Sequence, residues 1–208
     1  MKKRDIETIK KTLLILEGRP LRNFGRAGSL ITADFGELVE CDVACYDEKG
    51  KFALDNNGKL ILKKGERGRY AFQIECSARF TCGDEILLAK SDITLPNTKL
   101  SETQKIIIDG MEFFDWDNFD WSVRGDNYFD EMVSKYIGEE PFGFIVKKVS
   151  VSKFGDLAIN FENGFALEIF ADGSTGSENW VFYEVDNEKS SLLVMGDGIE
   201  KTDGLDSD

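Results

Sequence analysis

A chain of 208 residues, 41% hydrophobic and 12% aromatic, is long enough to bury a full core as one large domain or two small ones. Its 26 basic and 39 acidic residues leave a net charge of −13, which repels nucleic-acid phosphates and anionic membrane surfaces but attracts a basic partner. Charged residues are mixed with apolar ones, which argues against wholesale disorder. The N-terminus turns charged and amphipathic at once, and no apolar run is long enough to span a bilayer, so a cytoplasmic protein without membrane contact is expected.

In chain order, Ile6, Ile9, Leu13 and Leu16 recur at three- and four-residue steps and predict a helix, stopped by Gly18 and Pro20. Short strand-like runs follow. Residues 29–35 end at Gly36, residues 38–46 at the turn before Gly50, and residues 52–54 at Asp55-Asn-Asn-Gly58, a hairpin signal. Tyr70, Phe72, Ile74 and Cys76 alternate along one strand face, and residues 86–89 form a short apolar run. Residues 97–104 read as a polar link. The second half opens with Phe113-Phe-Asp-Trp-Asp-Asn-Phe-Asp-Trp121, an edge strand or loop. A second helix is capped by Asp126 or Asn127, with Phe129, Met132, Val133, Tyr136 and Ile137 as its apolar face and Gly138 and Pro141 ending it. Strands are then predicted over 144–151, 157–161, 165–170, 180–185 and 192–195, with a tight turn at Asn163-Gly164. Residues 171–178 read as a solvated hairpin end, and 201–208 as an acidic tail expected to be disordered.

The halves resemble one another. Ala71-Phe-Gln-Ile74 matches Ala166-Leu-Glu-Ile169, Ala78-Arg-Phe80 matches Trp180-Val-Phe182, and Ala27-Gly-Ser-Leu30 matches Phe154-Gly-Asp-Leu157. Residues 87–93 and 193–199 each close on an apolar strand and an Asp-bearing turn. The shared order points to an internal duplication. The expected fold is therefore α+β: two similar lobes, residues 1–104 and 105–200, mainly antiparallel sheet with about one helix each.

Arg19-Pro-Leu-Arg-Asn-Phe-Gly-Arg-Ala-Gly-Ser-Leu30, Tyr70-Ala-Phe-Gln-Ile-Glu-Cys76, Gly125-Asp-Asn-Tyr-Phe-Asp-Glu-Met-Val133, Asn163-Gly-Phe-Ala-Leu-Glu-Ile-Phe170 and Glu178-Asn-Trp180 resemble a poorly characterised bacterial family. Its members are small intracellular proteins of unknown function, some similar to immunity proteins of polymorphic toxin systems. The resemblance runs from Arg19 to Ile199, and its motifs are structural rather than catalytic. Where that family carries Pro-Trp-Arg after the first strand's cysteine, this chain has Ser77-Ala-Arg79.

No histidine is present, which removes the commonest general base, the usual triads and most catalytic zinc sites. Gly25-Arg-Ala-Gly28 has too few glycines for a dinucleotide fingerprint and no P-loop Lys after it. Cys41, Cys45, Cys76 and Cys82 lack the close pairing of zinc sites and are expected as free thiols. Asp115, Asp117 and Asp120 fail the calcium-loop pattern. No catalytic, cofactor or metal residue is assigned.

Asp115, Trp116, Asp117, Asp120 and Trp121 are the candidate partner-binding residues, because Trp supplies anchoring area and Asp charge toward a basic protein. The competing reading places these aromatics in the core, fastening one half to the other. The expectation is a non-enzymatic, immunity-like binding protein that takes up a basic protein and no nucleic acid. The alternatives are a carboxylate- or thiol-dependent enzyme on a small or sugar-like substrate, and a structural subunit forming a homodimer.

Overall fold

The apolar spacing at the N-terminus forms α1 (Lys3–Leu13), continued by a tight turn over Leu14–Leu16, and Ile6, Ile9, Leu13 and Leu16 are all buried. The computed structural model describes residues 1–48, 50–138, 141 and 143–202. A meander follows of β1 (Leu21–Ala27), β2 (Leu30–Ala44) and β3 (Leu62–Ile74), then a hairpin of β4 (Ser77–Cys82) and β5 (Glu85–Ala89). Past α2 (Thr98–Thr103) come the small hairpin β6 (Lys105–Ile108) and β7 (Met111–Phe114), and then α3 (Tyr128–Tyr136). A second meander runs through β8 (Val146–Val151), β9 (Leu157–Phe161) and β10 (Phe165–Phe170). The last strands are β11 (Glu178–Glu184), β12 (Asn187–Met195) and β13 (Ile199–Lys201). The architecture is α+β and mainly antiparallel sheet. Among the described residues no helix is long and apolar enough to cross a membrane.

The two meanders exchange the strands that follow them. β4 leaves β3 and pairs with β10, while β11 leaves β10 and pairs with β3. A six-stranded sheet results, in the order β1-β2-β3-β11-β12-β13, beside a five-stranded sheet, β5-β4-β10-β9-β8. Residues 1–104 and 105–200 therefore do not stand as separate lobes, since each sheet takes strands from both. Residues 171–178 likewise carry the chain from one sheet to the other instead of closing a hairpin. The two crossings share a register: Phe72 faces Phe182 and Ile74 faces Trp180 in one sheet, as Leu167 faces Phe80 and Ile169 faces Ala78 in the other.

The inner faces pack aromatic against aromatic. Phe35 on β2 stacks on Phe161 of β9 with centroids 6.5 Å apart, and Phe24 on β1 meets Phe80 of β4 at 5.3 Å. Burying such rings is the largest favourable contribution to folding here. The sheets join at one edge, where the Leu21 N–H donates to the Phe144 carbonyl at 2.8 Å and the Val146 N–H to the Arg19 carbonyl at 2.9 Å. Helix α1 packs on β8, and α3 on β1 and β5.

Three further sequence expectations change. Gly36 does not end a strand: β2 continues through a bulge between Phe35 and Leu38. The bulge fits because a Cβ at Gly68 opposite would lie 2.6 Å from the Phe35 nitrogen. The polar link at 97–104 contains α2, whose first turn is capped when the Leu100 N–H donates to the Asn97 side chain at 2.7 Å. The expected tail starts later than 201, because Lys201 pairs with Leu192 in β13 and the Ser191 N–H donates to the Thr202 hydroxyl at 3.0 Å. Residues 203–208 of that tail lie outside the described residues.

Candidate interaction surface

Beyond the bulge, β2 and β3 continue as a two-stranded arm with no neighbouring sheet, and no described residue from 37 to 67 is buried. Its base is clamped by Arg67, which donates to both carboxylate oxygens of Asp34 at 3.0 and 2.7 Å. The outer part is built from one turn used twice, Asp47-x-x-Gly50-Lys51 and Asp55-x-x-Gly58-Lys59. In each, the Asp carboxylate accepts the N–H of the Lys, at 2.9 Å in both. Gly50 and Gly58 hold φ of 73° and 75°, which a side chain disfavours. The backbone N–H groups of Lys59 and Asn57 hold the Asp55 carboxyl below the usual carboxylate range. Tyr46 and Phe52, flanking the first turn, stack at 5.1 Å.

The aromatic-acidic segment begins at the β6–β7 hairpin, reversed by a tight Asp109-Gly110 turn with both residues at positive φ. Phe114, Trp116 and Phe119 then form a small edge-to-face cluster, with centroids 4.8 to 6.0 Å apart. It is a surface cluster: Trp116 is 57% exposed and Trp121 37%. The core-anchor reading of these tryptophans is thus corrected, for the core is filled by the aromatics of the two sheets. Asp115 accepts the Asn118 side-chain amide at 2.7 Å, and Asp117 is exposed. Asp120 accepts the Lys51 ammonium at 2.6 Å and Ser122 at 2.5 Å, which holds its carboxyl down at about 2.

The Lys51–Asp120 pair ties the arm to this segment. The tie is reinforced where Gly50 lies against Arg124, so closely that a Cβ would sit 2.6 Å from the Arg124 Cβ. The Arg124 guanidinium lies over the Tyr46 ring, 5.1 Å from its centroid. The joined segments hold most of the exposed large hydrophobic side chains among the described residues. Of sixteen large hydrophobic side chains exposed among the described residues, Leu38, Tyr46, Leu54, Leu60, Ile61 and Leu62 lie on the arm. Ile107, Ile108, Met111, Phe113, Trp116 and Trp121 lie on the segment. Residues 106–123 also carry five acids, Asp109, Glu112, Asp115, Asp117 and Asp120, and no base.

Where the arm folds back, a cavity of 440 Å³ opens between it, β1 and α3, lined by Phe24, Arg26, Phe52, Arg124, Asp130 and Val133 among others. Arg26 forms its inner wall, donating to the two Asp130 oxygens at 2.9 and 2.8 Å and to the carbonyls of Gly28 and Val123. The Gly25–Gly28 stretch, without a phosphate-binding pattern, lines this cavity all the same. Sequence reasoning missed the arm residues and the cavity. The repeated Asp-x-x-Gly-Lys turn was the signal available for the arm.

No family model matches the chain, and no curated protein or solved structure matches it. The likeness to immunity-like bacterial proteins therefore rests on the quoted motifs alone.

Proposed function

We propose that the protein is a non-enzymatic, immunity-like binding protein that engages a basic protein through the surface formed by the arm and residues 106–121. The observation carrying this reading is the coincidence, on one pair of joined segments, of twelve of the sixteen exposed large hydrophobic side chains with an acidic run lacking any base. Tryptophan at the centre of such a surface supplies anchoring area, and the carboxylates select a cationic partner. A two-stranded hairpin standing alone, such as β6–β7, is marginal in water and gains from a partner. A thiol enzyme needs a lowered thiol pKa, whereas burial pushes Cys41 up and Cys76 up to about 12. The repeated order of motifs and the shared register of the two crossings support an origin by duplication with exchanged strands, in a cytoplasmic protein.

The test is co-purification of the tagged protein from its native host, in parallel with the variant Ile107→Ser, Met111→Ser, Trp116→Ser. All three side chains are exposed, so the variant is expected to fold. A basic protein retained by the parent, lost by the variant and weakened as salt rises is the expected result. Retention unchanged in the variant would overturn the assignment of this surface.

A further inference from the structure

We infer that the 440 Å³ cavity between β1, α3 and the arm is a binding site for a small organic anion with a flat apolar body, adjoining the proposed protein-binding surface where the arm lines both. Its size falls within the range of small-molecule sites, roughly 300–1,000 Å³. In a chain of net charge −13, the lining carries, among the described residues, three cations, Arg26, Lys51 and Arg124, against one carboxylate, Asp130. That carboxylate is already saturated. Its Oδ1 accepts from Arg26, and its Oδ2 from Arg26, the Gly125 N–H at 2.8 Å and the Asn127 amide at 3.1 Å. Lys51 is shared with Asp120. Arg124 is different: among the described residues no carboxylate pairs with it, and its guanidinium is held in place over the Tyr46 ring. A planar, pre-positioned guanidinium suits a carboxylate or sulfonate, which it can grip with two parallel N–H groups. Phe24, Phe52 and Val133 supply apolar wall for the rest of the ligand, and Gly50 lets the arm close to van der Waals distance over Arg124.

The probe is 2-naphthoate, compared with naphthalen-2-ylmethanol and naphthalen-2-ylmethylamine, titrated calorimetrically and followed by amide chemical-shift mapping. One saturable site is expected for the naphthoate, with shifts centred on residues 23–28, 46–52, 122–125 and 130–138. The alcohol and the amine should bind at least about tenfold more weakly. Arg124→Ala, which removes an exposed side chain and breaks no ion pair among the described residues, should weaken naphthoate roughly ten- to a hundredfold. Ser134→Trp, filling the cavity from an exposed position on α3, should abolish binding, with folding of both variants checked by their melting curves. Absence of saturation up to about 10 mM overturns the inference. So does equal affinity for the alcohol, or binding that survives in both variants. The partner-binding reading is tested apart from these results by the Ile107→Ser, Met111→Ser, Trp116→Ser variant, whose three residues do not line the cavity.

Discussion

Removing the Asp130 carboxylate is expected to cost more than any surface change on this protein. The Arg26 and Asp130 side chains are only 5% and 13% exposed, and they fasten α3 and the loop before it to β1. Asp130→Ala leaves a guanidinium buried with only the Gly28 and Val123 carbonyls, and frees the Gly125 N–H, while the Asn127 amide keeps only the Trp121 carbonyl. Breaking a buried pair from one side costs about 3–5 kcal/mol, because the surviving charge stays desolvated. Against a total stability of about 5–15 kcal/mol, that is a large fraction. For a chain of this length it corresponds to a fall in Tm of roughly 10 °C. Removing both charges with Arg26→Met and Asp130→Leu should cost less than the single change, since no buried ion remains. Urea unfolding of the parent and these two variants at pH 7 measures these values. A cost below about 1 kcal/mol for Asp130→Ala, or a double variant worse than the single, would refute the reasoning.

Other outcomes follow from the same geometry. Phe161→Ala empties a site touched by Phe35, Phe80 and Phe144 and should cost about 3–5 kcal/mol in urea unfolding. Gly50→Ala combines an unfavourable φ with a contact at 2.6 Å, and should release the arm from Arg124 at a cost of about 1–3 kcal/mol, seen as faster amide exchange over residues 45–61. The Asp120 carboxyl is depressed from an ordinary 3.8 to about 2 by Lys51 and Ser122, so its contribution is complete above pH 4 and lost as pH falls through 2. The pair is half exposed and worth no more than about 1 kcal/mol, so the carbon-detected titration midpoint is the better readout. Amides of β6 and β7 should exchange far faster than those of β3 and β10, in keeping with a hairpin that has no sheet beside it.

The sequence made α1, α3 and the second meander legible because their signals are local. The spacing of Ile6, Ile9, Leu13 and Leu16 marks α1, Asn127 caps α3, and the predicted 157–161 and 165–170 coincide with β9 and β10. Which sheet a strand joins is not local. Trp180 looks equally apolar whether β11 pairs with β10 or, as it does, crosses to β3. β1 was missed because Arg22, Asn23, Gly25 and Arg26 interrupt its alternation, and Gly36 passed for a turn because a bulge glycine and a turn glycine read alike. At the candidate surface, the composition of residues 115–121 was visible, but not whether Trp116 and Trp121 face water. That depends on the two sheets filling the core with other aromatics. The cavity draws on residues 23–28, 46–52 and 122–138, three stretches with no common pattern.

The central claim is that the arm and residues 106–121 form one partner-binding surface, and hydrogen exchange on the captured complex tests it most directly. Slower exchange over residues 46–62 and 105–121 than in the free protein, with the rest of the two sheets unchanged, is the result the account requires. Protection elsewhere, with both segments exchanging as fast in the complex as alone, would contradict it.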